Sequence, residues 1–316
     1  MITSMRIEFG GLAVAAAMAF FLVSCGASKN AMPLMGANTP ELNAKGEELY
    51  QKARSQDEAG RTRPAIRNYD RMATRYPFAP SAAQARLRQA ELLEQRGEVV
   101  RAFEAYQQFI DRYSGSGKYA TVLARQAAMA QSAADGEVRS GFLGLKTRLA
   151  LDRTVKMLEQ IRDNAPQSRT ASKAQFTVGQ LYESRKKPAE AIAAYRRLVR
   201  DQPDAPEAPE ALFRVGEILL AQADSGNRNQ ATLDLAREAY EDYLLQYPRH
   251  AKNAEARKRL GEIRSLNVKR TFETAAFYER TGQHEAARMY YRDVVKQAGS
   301  GDLHDAARAR LRELGE

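Results

Sequence analysis

Gly179-Gln-Leu-Tyr182-Glu-Ser-Arg-Lys-Lys-Pro-Ala-Glu-Ala191-Ile-Ala-Ala-Tyr195-Arg-Arg-Leu198-Val-Arg-Asp-Gln-Pro203 is the stretch on which the fold turns. Ala191 and Tyr195 are one helical turn apart and share a face. The small Ala lets its helix approach a preceding helix closely, and the Tyr fills the layer towards the next unit. Pro203, eight residues after Tyr195, ends the second helix because it cannot continue the hydrogen-bond ladder. This is the pattern of a two-helix hairpin.

The same signature recurs outward in both directions. Gly60, Ala65 and Tyr69 match Gly97, Ala102 and Tyr106, and again Gly282, Ala287 and Tyr291; a further copy keeps Ala236 and Tyr240. Proline follows eight residues after the Tyr at Pro77 and Pro248 as well. In the copies that carry it, the glycine allows the turn between helices. The pattern resembles the tetratricopeptide repeat, with Gly179, Tyr182, Ala191, Tyr195, Leu198 and Pro203 at its consensus spacing. The expected fold is all-α: a tetratricopeptide-repeat solenoid of about six helical hairpins. Their second helices are anchored at Ala65, Ala102, Thr154, Ala191, Ala236 and Ala287. The third hairpin carries an insertion around Asp135 to Thr147, with Gly136 and Gly141-Phe-Leu-Gly144. The fifth carries a polar loop from Asp224 to Gln230. A closing helix is expected over about His304 to Leu314.

The N-terminus has a different character. Leu12 to Val23 is uncharged and apolar, the length of a signal-peptide h-region and too short to span a bilayer. It ends at Cys25, the chain's one cysteine. The ending Leu22-Val-Ser-Cys25 resembles the lipobox of bacterial lipoproteins, which implies cleavage before Cys25 and attachment of lipid (diacylglyceryl, with palmitate an expected acyl chain) to it. An ordinary signal peptide or a buried apolar helix are the alternative readings. In the lipobox reading Gly26, where an inner-membrane lipoprotein would carry Asp, favours the outer membrane, with the protein lipid-anchored at its periplasmic face. Small, polar and helix-breaking residues after Cys25 read as a tether. The expected organisation is therefore signal peptide 1–24, lipidated tether 25–42 and repeat domain 43–316.

Composition restricts function. Lys and Arg exceed Asp and Glu by 10 charges in 316 residues, but the basic residues are spread along the chain. A secreted lipoprotein does not meet nucleic acid, so anionic headgroups or an acidic protein surface are better partners. A solvated Arg-rich surface explains the same charge. His250, His284 and His304 lack metal-ligand spacing. There are no convincing strands, so no Gly-rich loop follows one, and acidic residues stand mostly beside Arg or Lys along helices, as on solvated faces. The expectation is a binding protein, not an enzyme, with no cofactor and no metal.

Two stretches carry a further resemblance. Glu48 to Ala53 through Arg75-Tyr76-Pro-Phe78-Ala-Pro80, with Tyr106 to Arg112, looks like the N-terminal repeats of the BamD (YfiO) family. Ala256-Arg257-Lys258-Arg259-Leu260 through Phe277-Tyr278 and Ala286 to Tyr291 is similar to that family's C-terminal repeats, and Gly141-Phe-Leu-Gly144 to an element of its third. The family has five repeats; the regular hairpin from Thr170 to Pro203 is additional. The resemblance implies a non-catalytic lipoprotein subunit of the outer-membrane β-barrel assembly machinery. It would dock on a BamA-type barrel through its C-terminal repeats and recognise unfolded outer-membrane proteins through its N-terminal ones. Candidate groove residues are Tyr50, Tyr69, Tyr76 and Phe78, although Tyr69 also occupies a packing position. Candidate docking residues are Arg257, Arg259 and Arg264, which also read as an exposed basic helix face. The rival is a repeat scaffold serving another envelope complex, such as cell-wall synthesis or division.

Overall fold

The computed structural model describes residues 38–142, 145–225 and 230–316. The signal peptide, Cys25 and most of the expected tether lie outside them. Helices follow in the order α1 (Pro40–Glu58), α2 (Thr62–Arg75), α3 (Ala82–Gln95), α4 (Val99–Arg112) and α5 (Tyr119–Ala134). Two short strands, β1 (Arg139–Phe142) and β2 (Leu145–Arg148), come next. Then follow α6 (Leu151–Asn164), α7 (Arg169–Ser184), α8 (Pro188–Asp201), α9 (Ala208–Ser225), α10 (Gln230–Gln246), α11 (Asn253–Arg280), α12 (His284–Ala298) and α13 (Asp302–Glu313). Helices α1 to α12 pair into six hairpins, each second helix packing on the first helix of the next, and α13 closes the stack. Helix α1 opens three residues before the expected domain start, at Pro40, with the Thr39 hydroxyl accepting from the Leu42 amide.

The anchors behave as their spacing dictates. Ala65, Ala102, Ala191, Ala236 and Ala287 are fully buried and Thr154 nearly so, while Tyr69, Tyr106, Tyr195, Tyr240 and Tyr291 are all buried. Close approach is real at Gly179, where an added Cβ would lie 2.3 Å from the Tyr195 ring. Between helices of a hairpin, Gly60, Gly97 and Gly282 take left-handed φ values of 69°, 72° and 75°. The fourth hairpin has Lys186 at this position, with φ 55°, the one non-glycine residue so placed among those described.

The third-repeat insertion departs from the expectation of a strand-free chain. β1 and β2 form an antiparallel hairpin, with Arg139 opposite Arg148 and Phe142 opposite Leu145. The strands are four residues each, and Arg, Ser, Gly, Lys and Thr within them give too short an alternation to be read from sequence.

Three buried clusters run along the stack. The first spans α1 to α6 and reaches α7 and α8, the second centres on α8 to α10 and the third on α12 and α13. Helix α11 joins the last two. Ala256 and Ile263 in its first half belong to the second cluster, and Val268 and Ala275 in its second half to the third. No described helix is long and apolar enough to cross a membrane.

Candidate functional site

The first helices of the hairpins present one side to a groove of about 570 Å³ at the N-terminal end, lined by Tyr50, Arg54, Asp57, Tyr69, Arg88 and Glu91, among others. Its wall includes the first copy, Tyr69–Asp57–Arg88, of a three-residue unit that recurs along the stack. A tyrosine on the second helix donates to a carboxylate on its own first helix, and the same carboxylate receives an arginine from the next repeat or, at the end of the stack, from α13. Tyr69 reaches Asp57 at 3.5 Å, and Arg88 grips both Asp57 oxygens at 2.6 and 3.2 Å. The next units are Tyr106–Glu94–Arg125 (2.7 and 3.4 Å) and Tyr195–Glu183–Arg214 (2.9 and 3.3 Å). Two more follow, Tyr240–Glu217–Arg259 (3.0 and 3.0 Å) and Tyr291–Glu279–Arg310 (2.7 and 3.7 Å).

Burial, reinforced by the neighbouring carboxylate, pushes the Tyr69 phenol up to about 12, and moves Tyr106, Tyr195, Tyr240 and Tyr291 in the same direction. The hydrogen bond to Asp57 outweighs desolvation at Arg88 and holds its guanidinium more firmly protonated. These are neutral phenols beside partly exposed arginine–carboxylate pairs, arranged to hold repeats together and to offer a polar wall.

Equivalent positions at the boundary of repeats 3 and 4 break this series. Gln131 follows Glu94 at the interval by which Glu94 follows Asp57. Leu158 stands four residues after Thr154, as Tyr195 does after Ala191, and Thr177 stands two before Gly179, as Arg214 does before Gly216. Each of these polar side chains bonds locally: Gln131 donates to Asp135 at 3.0 Å and Thr177 to the Lys173 carbonyl at 2.9 Å.

Among the expected contact residues, Tyr50 and Tyr69 meet in the groove with ring centroids 5.8 Å apart, both largely buried. Tyr76 and Phe78 lie elsewhere, in the turn after α2. Tyr76 has a packing role there: a Cβ on Gly46 would come within 2.8 Å of the Tyr76 Cβ, so α1 and this turn are in direct contact. Ser81 secures the turn, donating from its amide (2.9 Å) and hydroxyl (2.7 Å) to Glu47. Phe78 is 42% exposed. On α11, Arg257 and Arg264 are exposed and make no ion pair among the described residues, whereas Arg259 is held by Glu217 at 3.0 Å and Glu262 at 3.1 Å. The three arginines therefore do not form one free cluster. Sequence reasoning missed Asp57, Arg88 and their counterparts. Their signal was spacing: the acid precedes the tyrosine by 12 residues in four of the units, and by 23 for Glu217 and Tyr240. Among the described residues no group of three or more His, Cys, Asp or Glu is placed to hold a metal.

Stacked helical hairpins with this anchor pattern define a tetratricopeptide-repeat protein, and the model of that repeat matches residues 50–117. The chain belongs to the YfiO family of outer membrane lipoproteins, whose model matches residues 148–305, half of the chain. No curated protein matches it. Solved structures with which it aligns include the MamA protein (14% identity, 67% of this chain and 96% of that one, TM-score 0.31). A structure titled for Pseudomonas aeruginosa pilF aligns at 13% identity over 85% and 99% of the two chains, with TM-score 0.29. The C-terminal part of a repeat protein from Cytophaga hutchinsonii aligns at 13% over 84% and 90%, with TM-score 0.33.

Proposed function

We propose that this protein is a non-catalytic, lipid-anchored subunit of the outer-membrane β-barrel assembly machinery, held at the periplasmic face by lipid on Cys25. The observation that carries the proposal is the family match over residues 148–305, which takes in every helix from α6 to α12. The N-terminal groove holds an extended segment of an unfolded outer-membrane protein. Tyr50 and Tyr69 form its packed aromatic floor and Arg54 a forked donor at its wall; outside the groove, in the turn after α2, the exposed Phe78 adds an apolar contact beside the packed Tyr76. The exposed face of α11 with Arg257 and Arg264 docks on acidic residues of a BamA-type barrel, while Arg259 positions that helix through Glu217.

The test is affinity purification of the tagged protein from detergent-solubilised envelopes. A stoichiometric BamA-type barrel is expected, lost on Arg257→Glu/Arg264→Glu. Enrichment of cell-wall synthesis or division proteins without that barrel would overturn the assembly role and favour a scaffold of another envelope complex. Cys25→Ala is expected to abolish lipid labelling and leave the precursor uncleaved; normal processing would remove the anchor from the proposal.

A further inference from the structure

The interrupted boundary between repeats 3 and 4 holds a second recess. It has a volume of about 360 Å³, within the range of small-ligand and side-chain pockets, and lies between α5, α6 and α7. Its apolar lining includes Ala127, Ala128, Leu158 and Ile161. Arg169 and Lys173 stand at its rim, both exposed and neither in an ion pair among the described residues.

Three observations give this recess a ligand chemistry. First, it lies at the boundary where the Tyr–carboxylate–Arg unit is replaced at all three positions, by Gln131, Leu158 and Thr177. A tyrosine at 158 would project its ring from the place where Leu158 now lines the recess. Second, it continues the repeat positions that line the N-terminal groove. Ala128 and Gln131 stand in repeat 3 where Arg54 and Asp57 stand in repeat 1 and Glu91 and Glu94 in repeat 2. The same row of positions thus changes from charged to uncharged along the stack. Third, the two rim cations, Arg169 and Lys173, meet no carboxylate among the described residues. An apolar floor beside unpaired cations fits an apolar side chain adjoining a carboxylate.

We propose that this recess binds an acidic–apolar segment of an extended client polypeptide. The apolar side chain enters between Leu158 and Ile161, and the adjoining carboxylate meets Arg169 and Lys173. The proposal rests on the interpretation of the first-helix face as a peptide groove and deepens it: the groove acquires a second site, with a different side-chain preference, two repeats further along.

The test uses fluorescein-labelled synthetic peptides containing Leu-Asp pairs, with Leu-Asn and Leu-Lys controls. Anisotropy is measured on the detergent-solubilised full chain. The Leu-Asp peptide is expected to bind best, and Arg169→Glu/Lys173→Glu to weaken it about tenfold or more, at unchanged melting temperature. The variant Gln131→Glu/Leu158→Tyr/Thr177→Arg, which supplies the missing unit, is expected to lose the peptide while melting higher. Equal binding of Leu-Asp and Leu-Asn peptides, or unchanged affinity in the charge-reversed variant, overturns the assignment. If the wild-type chain binds a urea-unfolded barrel protein but not the Leu-Asp peptide, the recess falls and the N-terminal groove stands. If it binds neither, both fall.

Discussion

The boundary between repeats 1 and 2 and that between repeats 3 and 4 use the same helical scaffold and differ in what crosses it. At the first, Asp57 accepts from Tyr69 of its own repeat and from Arg88 of the next, so one carboxylate joins two units. At the second, Gln131 and Thr177 bond within their own surroundings and Leu158 packs without a polar group. A solenoid's stability is approximately the sum of its repeats and their interfaces. Removing a polar bridge from one interface therefore changes that interface without dissolving the stack. The two sides are still joined: Val155, Leu158, Ile161, Ala174 and Val178 all belong to one buried cluster, and Arg162 of α6 donates to the Gln175 side chain of α7 at 2.8 Å.

The largest effect that would sharpen this contrast is at Tyr195. Tyr195→Ala should lower the unfolding free energy by about 3–5 kcal/mol in urea titrations, through the cavity it leaves. Tyr195→Phe, which keeps the ring and removes only the hydroxyl bound to Glu183, should cost about 1 kcal/mol. No loss in the phenylalanine variant would reduce the ladder to decoration on an apolar stack.

Alkaline pH acts on the whole ladder together. Each ladder phenol titrates higher in the folded chain than in the unfolded one, near 10. Their contribution is fully present below that value and is lost as pH rises towards about 12 for Tyr69 and beyond it for the others. Stability followed by circular dichroism should fall across this window, and the ladder's share of the tyrosinate absorbance, taken as the difference from variants with Phe at the ladder positions, should rise only as the chain unfolds. Ladder tyrosinate appearing near pH 10 in that difference with the fold intact would contradict the arrangement.

A smaller effect compares the boundaries directly. A double-mutant cycle on Asp57 and Arg88 should give a coupling of about 0.5–1 kcal/mol that weakens with salt, since the pair is partly exposed. The cycle on Gln131 and Thr177 should give additivity within about 0.3–0.5 kcal/mol. Smallest of all, Lys186→Gly should stabilise the fourth hairpin by about 0.5 kcal/mol, because glycine relieves the left-handed backbone at that turn. Chemical denaturation of the variant reads this directly.

How much of this could be seen in the sequence follows from the range of each interaction. Ala191 and Tyr195 are one turn apart on one helix, so their spacing alone implies a shared buried face. Asp57 and Arg88 belong to different repeats, and from sequence such residues resemble a solvated charged face. Only repetition of the interval at Glu94 and Arg125, and again at Glu183 and Arg214, distinguishes the two. The β-hairpin escaped because four-residue strands stabilised by mutual pairing leave almost no periodic pattern. Gly141 and Gly144 marked the insertion without revealing its form. Arg259 was grouped with Arg257 and Arg264 by nearness in sequence, but helical rotation carries it to the side facing Glu217.

Helix α11 has 28 residues, a length of about 42 Å at the α-helical rise. One end is embedded in the fifth repeat and the other forms half of the sixth. It is therefore a strut with no joint between them. A protein that seizes the Arg257 and Arg264 end fixes, in the same act, the direction in which α12 and α13 point. The C-terminal hairpin would swing as a lever with its handle, and torque at either end would be felt at the other.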